Sequence, residues 1–169
     1  MHDPAPVEVA RPPIHYDPER SAGNRAGALH SLEGRTMISK PALTLDDAKR
    51  IAAAAHAEAK KNGWPVTIAI VDDGANLLYL ERLDGCKLGA VVTAQEKARS
   101  AALFARPTKA LEDIVAGGRN AMLKLPGATP IQGGLPLEHE GALVGGIGVS
   151  GVASAQDEHV AAAGLRALA

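Results

Sequence analysis

The chain has 169 residues, a formal net charge of -1, 46% hydrophobic and 22% charged residues, a composition that excludes the disordered and fibrous classes. Near-neutral charge and 2% aromatic content leave neither a basic stripe for a phosphate backbone nor a stacking platform for bases, so no nucleic-acid partner is expected. The longest uncharged apolar stretch, residues 142–155, is glycine-rich and too short to span a bilayer, so no membrane partner is expected either.

Residues 1–40 carry prolines at 4, 6, 12, 13 and 18 and no sustained apolar period. They are expected to form a flexible arm, because little burial is on offer to offset their ordering entropy. The alternative is that Ile14, Tyr16 and Leu29 dock on a neighbouring subunit. The first residues hold charges and prolines where an export signal would hold an apolar core, so a cytoplasmic chain is expected. A single folded domain is placed at 41–169.

Thr44 and Asp47 have the spacing of a capping box, and Leu45, Ala48, Ile51, Ala52, Ala55 and Ala59 recur at helical spacing until Asn62-Gly63. The apolar run VTIAIV, the turn formers of residues 72–76 and then LLYLER predict a β-hairpin. A second helix is predicted from Asp84-Gly85 to just before Pro107, with Leu88, Val91, Val92, Gln95, Ala98 and Ala102 on one face and the small residues Ala90, Ala94, Ala98, Ala101 and Ala102 allowing close packing on a sheet. Thr108 is read as the cap of a shorter helix ending at Gly117-Gly118. A looser stretch, RNAMLKLPGATP, follows. GGLPL, the turn EHEG and ALVGGIGV read as a second hairpin, and Ser154 with Asp157 as the start of a last helix. Two hairpins and no parallel crossover predict an α+β (α/β) domain with a mostly antiparallel sheet flanked by helices.

Gly146, Gly148 and Gly151 spell G-x-G-x-x-G. A dinucleotide site would need a second parallel strand with an acidic residue beyond the next helix, and the residues after 154 leave no room for one. The plainer expectation is that these glycines let a helix approach the sheet closely. The amides from Ser150 and Gly151 into the last helix could still hold a carboxylate or propionate.

TIAIVDDGANLLYLERLDG, EKARSAALFARPT, PIQGGLPL and GALVGGIGVSGVASAQDEHVA, in this order, resemble the GlcG/HbpS family, which includes the C-terminal domain of PduO-type proteins. The resemblance covers 43–168. It implies a profilin-like or PAS-like antiparallel sheet with helices, and homo-oligomers from dimers to octamers. It further implies haem binding, in some members haem degradation, or roles in small-molecule catabolism.

Two sets of candidate residues follow. Arg82, Asp84, Glu96 and Lys97, if they converge on a cleft, can bind a carboxylate and move a proton. The structural alternative makes Asp84 an N-cap and Arg82 with Glu96 an ion pair. For haem, His56 at the border of the first helix's apolar stripe is the candidate axial ligand, with Gly133 and Gly134 of the GGLP motif and Ser150 and Gly151 as further cofactor-binding positions. His139 and His159 read as solvated, and His2, His15 and His30 fall in the arm. No helical spacing suggests a metal site without haem. Cys86, the single cysteine, reads as a packing residue and not a nucleophile.

Three functions are therefore expected, in this order: an oligomeric haem-binding protein with haem as cofactor, a cofactor-independent enzyme acting on a small organic acid or aromatic ligand between subunits, and a non-catalytic sensory or assembly module.

Overall fold

In the computed structural model, which describes residues 39–168, Thr44 opens the first helix, α1 (Leu45–Lys61), through the predicted exchange. The Asp47 N–H donates to Thr44 Oγ1 at 3.1 Å, and the Asp47 carboxylate accepts from the Thr44 N–H at 3.0 Å and its hydroxyl at 2.7 Å. The Thr44 hydroxyl is the main reason the Asp47 carboxyl lies below its ordinary value. A carboxyl with a lowered folded pKa stabilises the fold above its unfolded pKa and loses that contribution as the pH falls through the folded value. Thr44→Ala is therefore expected to cost about 1 kcal/mol at pH 7. In urea denaturation the gap to wild type should shrink as the pH drops below the carboxylate range; a gap independent of pH would rule out the box as its source.

A hairpin follows, β1 (Thr67–Asp72) and β2 (Leu77–Arg82). Its turn closes when Asp72 Oδ1 accepts the Asn76 N–H at 2.8 Å, with Ala75 left-handed at φ 63°. The next helix, α2 (Ala90–Phe104), starts later than the sequence suggests, after turns that contain Asp84 and Gly85. Its buried face follows the small residues and not the whole apolar stripe. Ala90, Ala94, Lys97, Ala98, Ala101 and Ala102 face inward, whereas Leu88 and Val92 are 76% and 64% exposed.

In α3 (Thr108–Ala116), the Thr108 side chain makes no cap. Its hydroxyl accepts the Gly134 N–H at 2.9 Å instead and ties the helix to the sheet edge. The loose segment contains one 3-10 turn, Asn120–Lys124. β3 (Gly134–His139) and β4 (Ala142–Ser150) form the second hairpin. Its Glu140 and Gly141 have φ 50° and 78°, the two positive values a tight primed turn requires. The last helix, α4 (Ser154–Arg166), is capped at Ala153, where Gln156 Oε1 accepts the Ala153 N–H at 3.2 Å; Ser154 is its first residue and not its cap.

The four strands run antiparallel in the order β2-β1-β4-β3. One face carries Ile68, Ile70, Leu135, Leu137, Ile147 and Val149 against α1 and α4. The other presents Ala69 and Val71 to Ala94, Ala98 and Ala102 of α2. A Cβ on Gly146 would meet the Ala98 carbonyl oxygen, and one on Gly148 the Ala94 carbonyl oxygen. Gly146 and Gly148 thus seat α2 on the sheet, in line with the plainer expectation, whereas Gly151 packs against Pro65 and Val66 instead. The stretch 1–40 expected to form an arm, with Ile14, Tyr16, Leu29 and three histidines, lies outside the described residues except for 39 and 40.

Candidate functional site

Strand alternation decides what α1 meets along the sheet edge. In β2, Tyr79 pairs with Ile70 and Glu81 with Ile68, so both side chains lie on the face covered by α1. His56 of α1 reaches this edge. His56 Nδ1 lies 2.9 Å from Glu81 Oε1, and the Tyr79 hydroxyl donates to Glu81 Oε2 at 3.1 Å. The pair is half-buried, with side chains 43% and 25% exposed.

A carboxylate only accepts, so the hydrogen between the two sits on Nδ1, and in the neutral ring Nε2 keeps its lone pair. Burial first, and the Glu81 carboxylate second, push the Tyr79 phenol above its ordinary pKa. It stays protonated and keeps donating. Among the described residues Nε2 has no hydrogen-bond partner.

The same seam continues into an open concavity of about 340 Å³ lined by Lys60, Gly63, Trp64, Pro65, Leu83, Asp84 and Gly85. Lys60 is one helical turn beyond His56 and so shares its face of α1. Leu83 lies two residues beyond Glu81. The Trp64 ring packs edge-on to His159 at 5.9 Å, and His159 Nε2 lies 2.9 Å from Glu58 Oε1. The half-exposed His159 is therefore engaged as well as solvated, while His139 is exposed at the end of β3.

The proposed acid/base set does not assemble. Arg82 and Asp84 are exposed, Asp84 precedes α2 by several residues and does not cap it, and Glu96 turns to Arg99 at 3.8 Å. Among the described residues no hydrogen bond or ion pair joins Arg82, Asp84 and Glu96, so the structural ion-pair alternative is not formed either.

Lys97 points the other way, into the core. Its ammonium donates to Asp157 Oδ2 at 2.9 Å and to the Val149 carbonyl at 3.0 Å, with the two side chains 1% and 3% exposed. Burial pushes the Asp157 carboxyl up, opposed by Lys97 and by the Val152 and Gly151 N–H groups.

The glycine positions are equally occupied by the protein itself. At Gly133, with φ 124°, a Cβ would lie 2.8 Å from Lys97 Nζ and 3.0 Å from Asp157 Cβ; at Gly151, with φ 153°, one would lie 2.8 Å from Val66 Cα. A Cβ on Gly134 would meet the Lys97 backbone. Ser150 is buried at the end of β4. The start of α4 is closed by its own side chains, since Asp157 Oδ1 accepts the Val152 N–H at 3.1 Å and Gln156 takes that of Ala153. These contacts take up the Val152 and Ala153 N–H groups that an anion beside Ser150 and Gly151 would use.

Cys86 is buried, its Sγ 3.4 Å from Thr67 Oγ1, in keeping with a packing role. Among the described residues no three His, Cys, Asp or Glu side chains gather to hold a metal ion, and no helix is long and apolar enough to cross a membrane.

Sequence reading missed the joining of Glu81 and Tyr79 with His56, and read Asp157 only at the start of the last helix. The signal for the first two was the alternation of LLYLER, which places Tyr79 and Glu81 on one strand face, but their partner His56 is 25 residues away from Glu81. Asp157 is 60 residues from Lys97, beyond any local pattern.

The chain was compared with known proteins. The family model described as "Haem degrading protein HbpS-like" matches residues 43–166. Protein GlcG of Escherichia coli (strain K12) is 45% identical over 114 residues, covering 68% of this chain and 85% of GlcG. The crystal structure of HbpS superposes with a TM-score of 0.73 at 34% identity, covering 79% of this chain and 95% of that one. The crystal structure of a PduOC:haem complex superposes with a TM-score of 0.68 at 29% identity, covering 75% and 95%.

Proposed function

We propose that this chain, which belongs to the HbpS-like family, is a haem-binding protein and that haem would dock along the seam between α1 and β2, held at its iron by His56. The observation that carries the reading is the His56–Glu81 pair, which engages Nδ1 and leaves Nε2 as a lone-pair donor on a half-exposed ring. Neutral imidazole is a common ligand to haem iron. Beside it, Trp64, Pro65 and Leu83 offer apolar surface for a porphyrin face, and Lys60 offers a cation for a propionate. The haem-bound PduOC relative and the family's description support the same ligand.

A bound haem would supply a redox-active iron. The chain supplies the ligating nitrogen, a neutral phenol that keeps Glu81 oriented, and an apolar wall that limits water on one side. A concavity of about 340 Å³ lies at the low end of ligand pockets and covers a porphyrin only in part. A second subunit closing the open side is thus part of the proposal. Leu88 just before α2 and Val92 on it, both exposed, are apolar surface of the kind that self-association covers. Degradation of the bound haem, the activity in the family's description, is the finer reading.

A haemin titration followed through the Soret band tests the ligand assignment. Wild type is expected to give a saturable, sharp shift that His56→Ala loses. A broad, non-saturating change shared by both proteins would mean porphyrin adsorption and would remove haem as the cofactor. Loss of the Soret band on adding a mild reductant in air would establish degradation, and a stable band would exclude it.

A further inference from the structure

Histidine ligands differ in donor strength according to what the second ring nitrogen meets, and here that nitrogen meets a charge. Glu81 places a carboxylate oxygen 2.9 Å from His56 Nδ1, while its other oxygen is held by the Tyr79 hydroxyl at 3.1 Å. Both carboxylate oxygens are therefore engaged on one strand face. Glu81 and His56 come from different elements, β2 and α1, so their pairing also fixes how the ring stands relative to the seam. Partial burial of Glu81, 25% exposed, keeps the pair from being screened as a fully exposed one would be.

We propose that Glu81, held in place by Tyr79, is a positioning residue that fixes His56 as its Nδ1–H tautomer and lends the ring negative charge, making Nε2 a strong donor to ferric haem iron. This rests on the haem reading above and goes beyond it by assigning the residues that set affinity and potential. A carboxylate accepting from a metal-bound histidine raises the ligand's basicity, and loss of such a partner commonly weakens metal binding 10- to 100-fold, as an order of magnitude. Ferric iron carries one more positive charge than ferrous iron, so charge donated through the ring favours the ferric form and lowers the midpoint potential.

Two substitutions separate orientation from charge. Glu81→Gln keeps an acceptor oxygen of the same reach and removes the charge; it is expected to raise the midpoint potential of the haem-loaded protein with a modest loss of haemin affinity. Glu81→Ala removes the acceptor as well. It is expected to weaken haemin binding about 10- to 100-fold and, in the haem-free protein, to convert the His56 15N NMR signature from a single Nδ1–H tautomer to a mixture.

Circular dichroism and melting curves like those of wild type show that the variants fold. A Glu81→Gln protein with the wild-type potential and a Glu81→Ala protein with the wild-type haemin affinity would overturn the inference while leaving His56 as ligand. An unchanged Soret titration in His56→Ala would overturn both the inference and the reading on which it rests.

Discussion

Lys97→Met is expected to remove about 3–5 kcal/mol of folding free energy, the usual cost of taking away one partner of a buried ion pair. The remaining Asp157 carboxyl is 3% exposed and, among the described residues, has no other cation on it, only backbone N–H donors. Burial already holds it above the ordinary carboxylate value in the intact pair, and loss of the ammonium pushes it further up.

The sign of the pH dependence follows. A carboxyl with a raised folded pKa binds more protons folded than unfolded, so its contribution to stability is present in acid and is lost as the pH rises from the unfolded value through the folded one. Lys97→Met should therefore be least stable at neutral pH and regain part of the loss in acid. Adding Asp157→Asn, which keeps an acceptor for the Val152 N–H and removes the charge, should restore much of the stability. Urea denaturation of the two single variants and the double variant checks this. A single Lys97→Met variant within about 0.5 kcal/mol of wild type, the range of ordinary surface changes, would show that the pair is not the buried unit described.

Gly148→Val carries the second large effect. The first carbon of any side chain there falls onto the Ala94 carbonyl oxygen and the Ala98 backbone nitrogen. These are backbone atoms of α2, which cannot rotate away as a side chain can, so the helix must lift from the sheet. Overpacking costs about 1–3 kcal/mol and occasionally more; valine at this site is expected at or beyond the top of that range. Gly89→Ala, where a Cβ meets nothing within 4 Å, is the matched control and should melt close to wild type. Equal melting temperatures for the two would refute close helix–sheet contact as the role of the glycine pattern.

The elements that sequence reading placed well are those with a local physical signature. The Thr44–Asp47 box, the Glu140-Gly141 turn and the alternating strands all lie within a few residues of themselves and were legible. The buried face of α2 was legible in part, since the small residues Ala90, Ala94, Ala98, Ala101 and Ala102 signalled close packing and are buried, whereas hydrophobicity pointed to Leu88 and Val92, which are exposed. Glycines in β4 bring α2 so close that alanines line the contact, while Leu88 and Val92 stay exposed. The reading of Lys97 as an acid/base residue failed for a related reason. A lysine next to Glu96 looks like surface chemistry until the tertiary fold brings Asp157 and the Val149 carbonyl to its ammonium. His56 was legible as a half-buried histidine at the edge of an apolar stripe, but the Glu81 that engages its Nδ1 was not, since helix-to-strand facing is set by the sheet edge and not by spacing.

The central claim is that His56 Nε2 is the atom that meets haem iron. Diffraction from crystals grown with haemin, with the iron located by its anomalous signal, tests it most directly. The account predicts an iron peak at coordination distance from His56 Nε2, with the porphyrin lying along Trp64, Pro65 and Leu83. An iron peak ligated by any other side chain, with His56 still paired to Glu81 and bare, would contradict it.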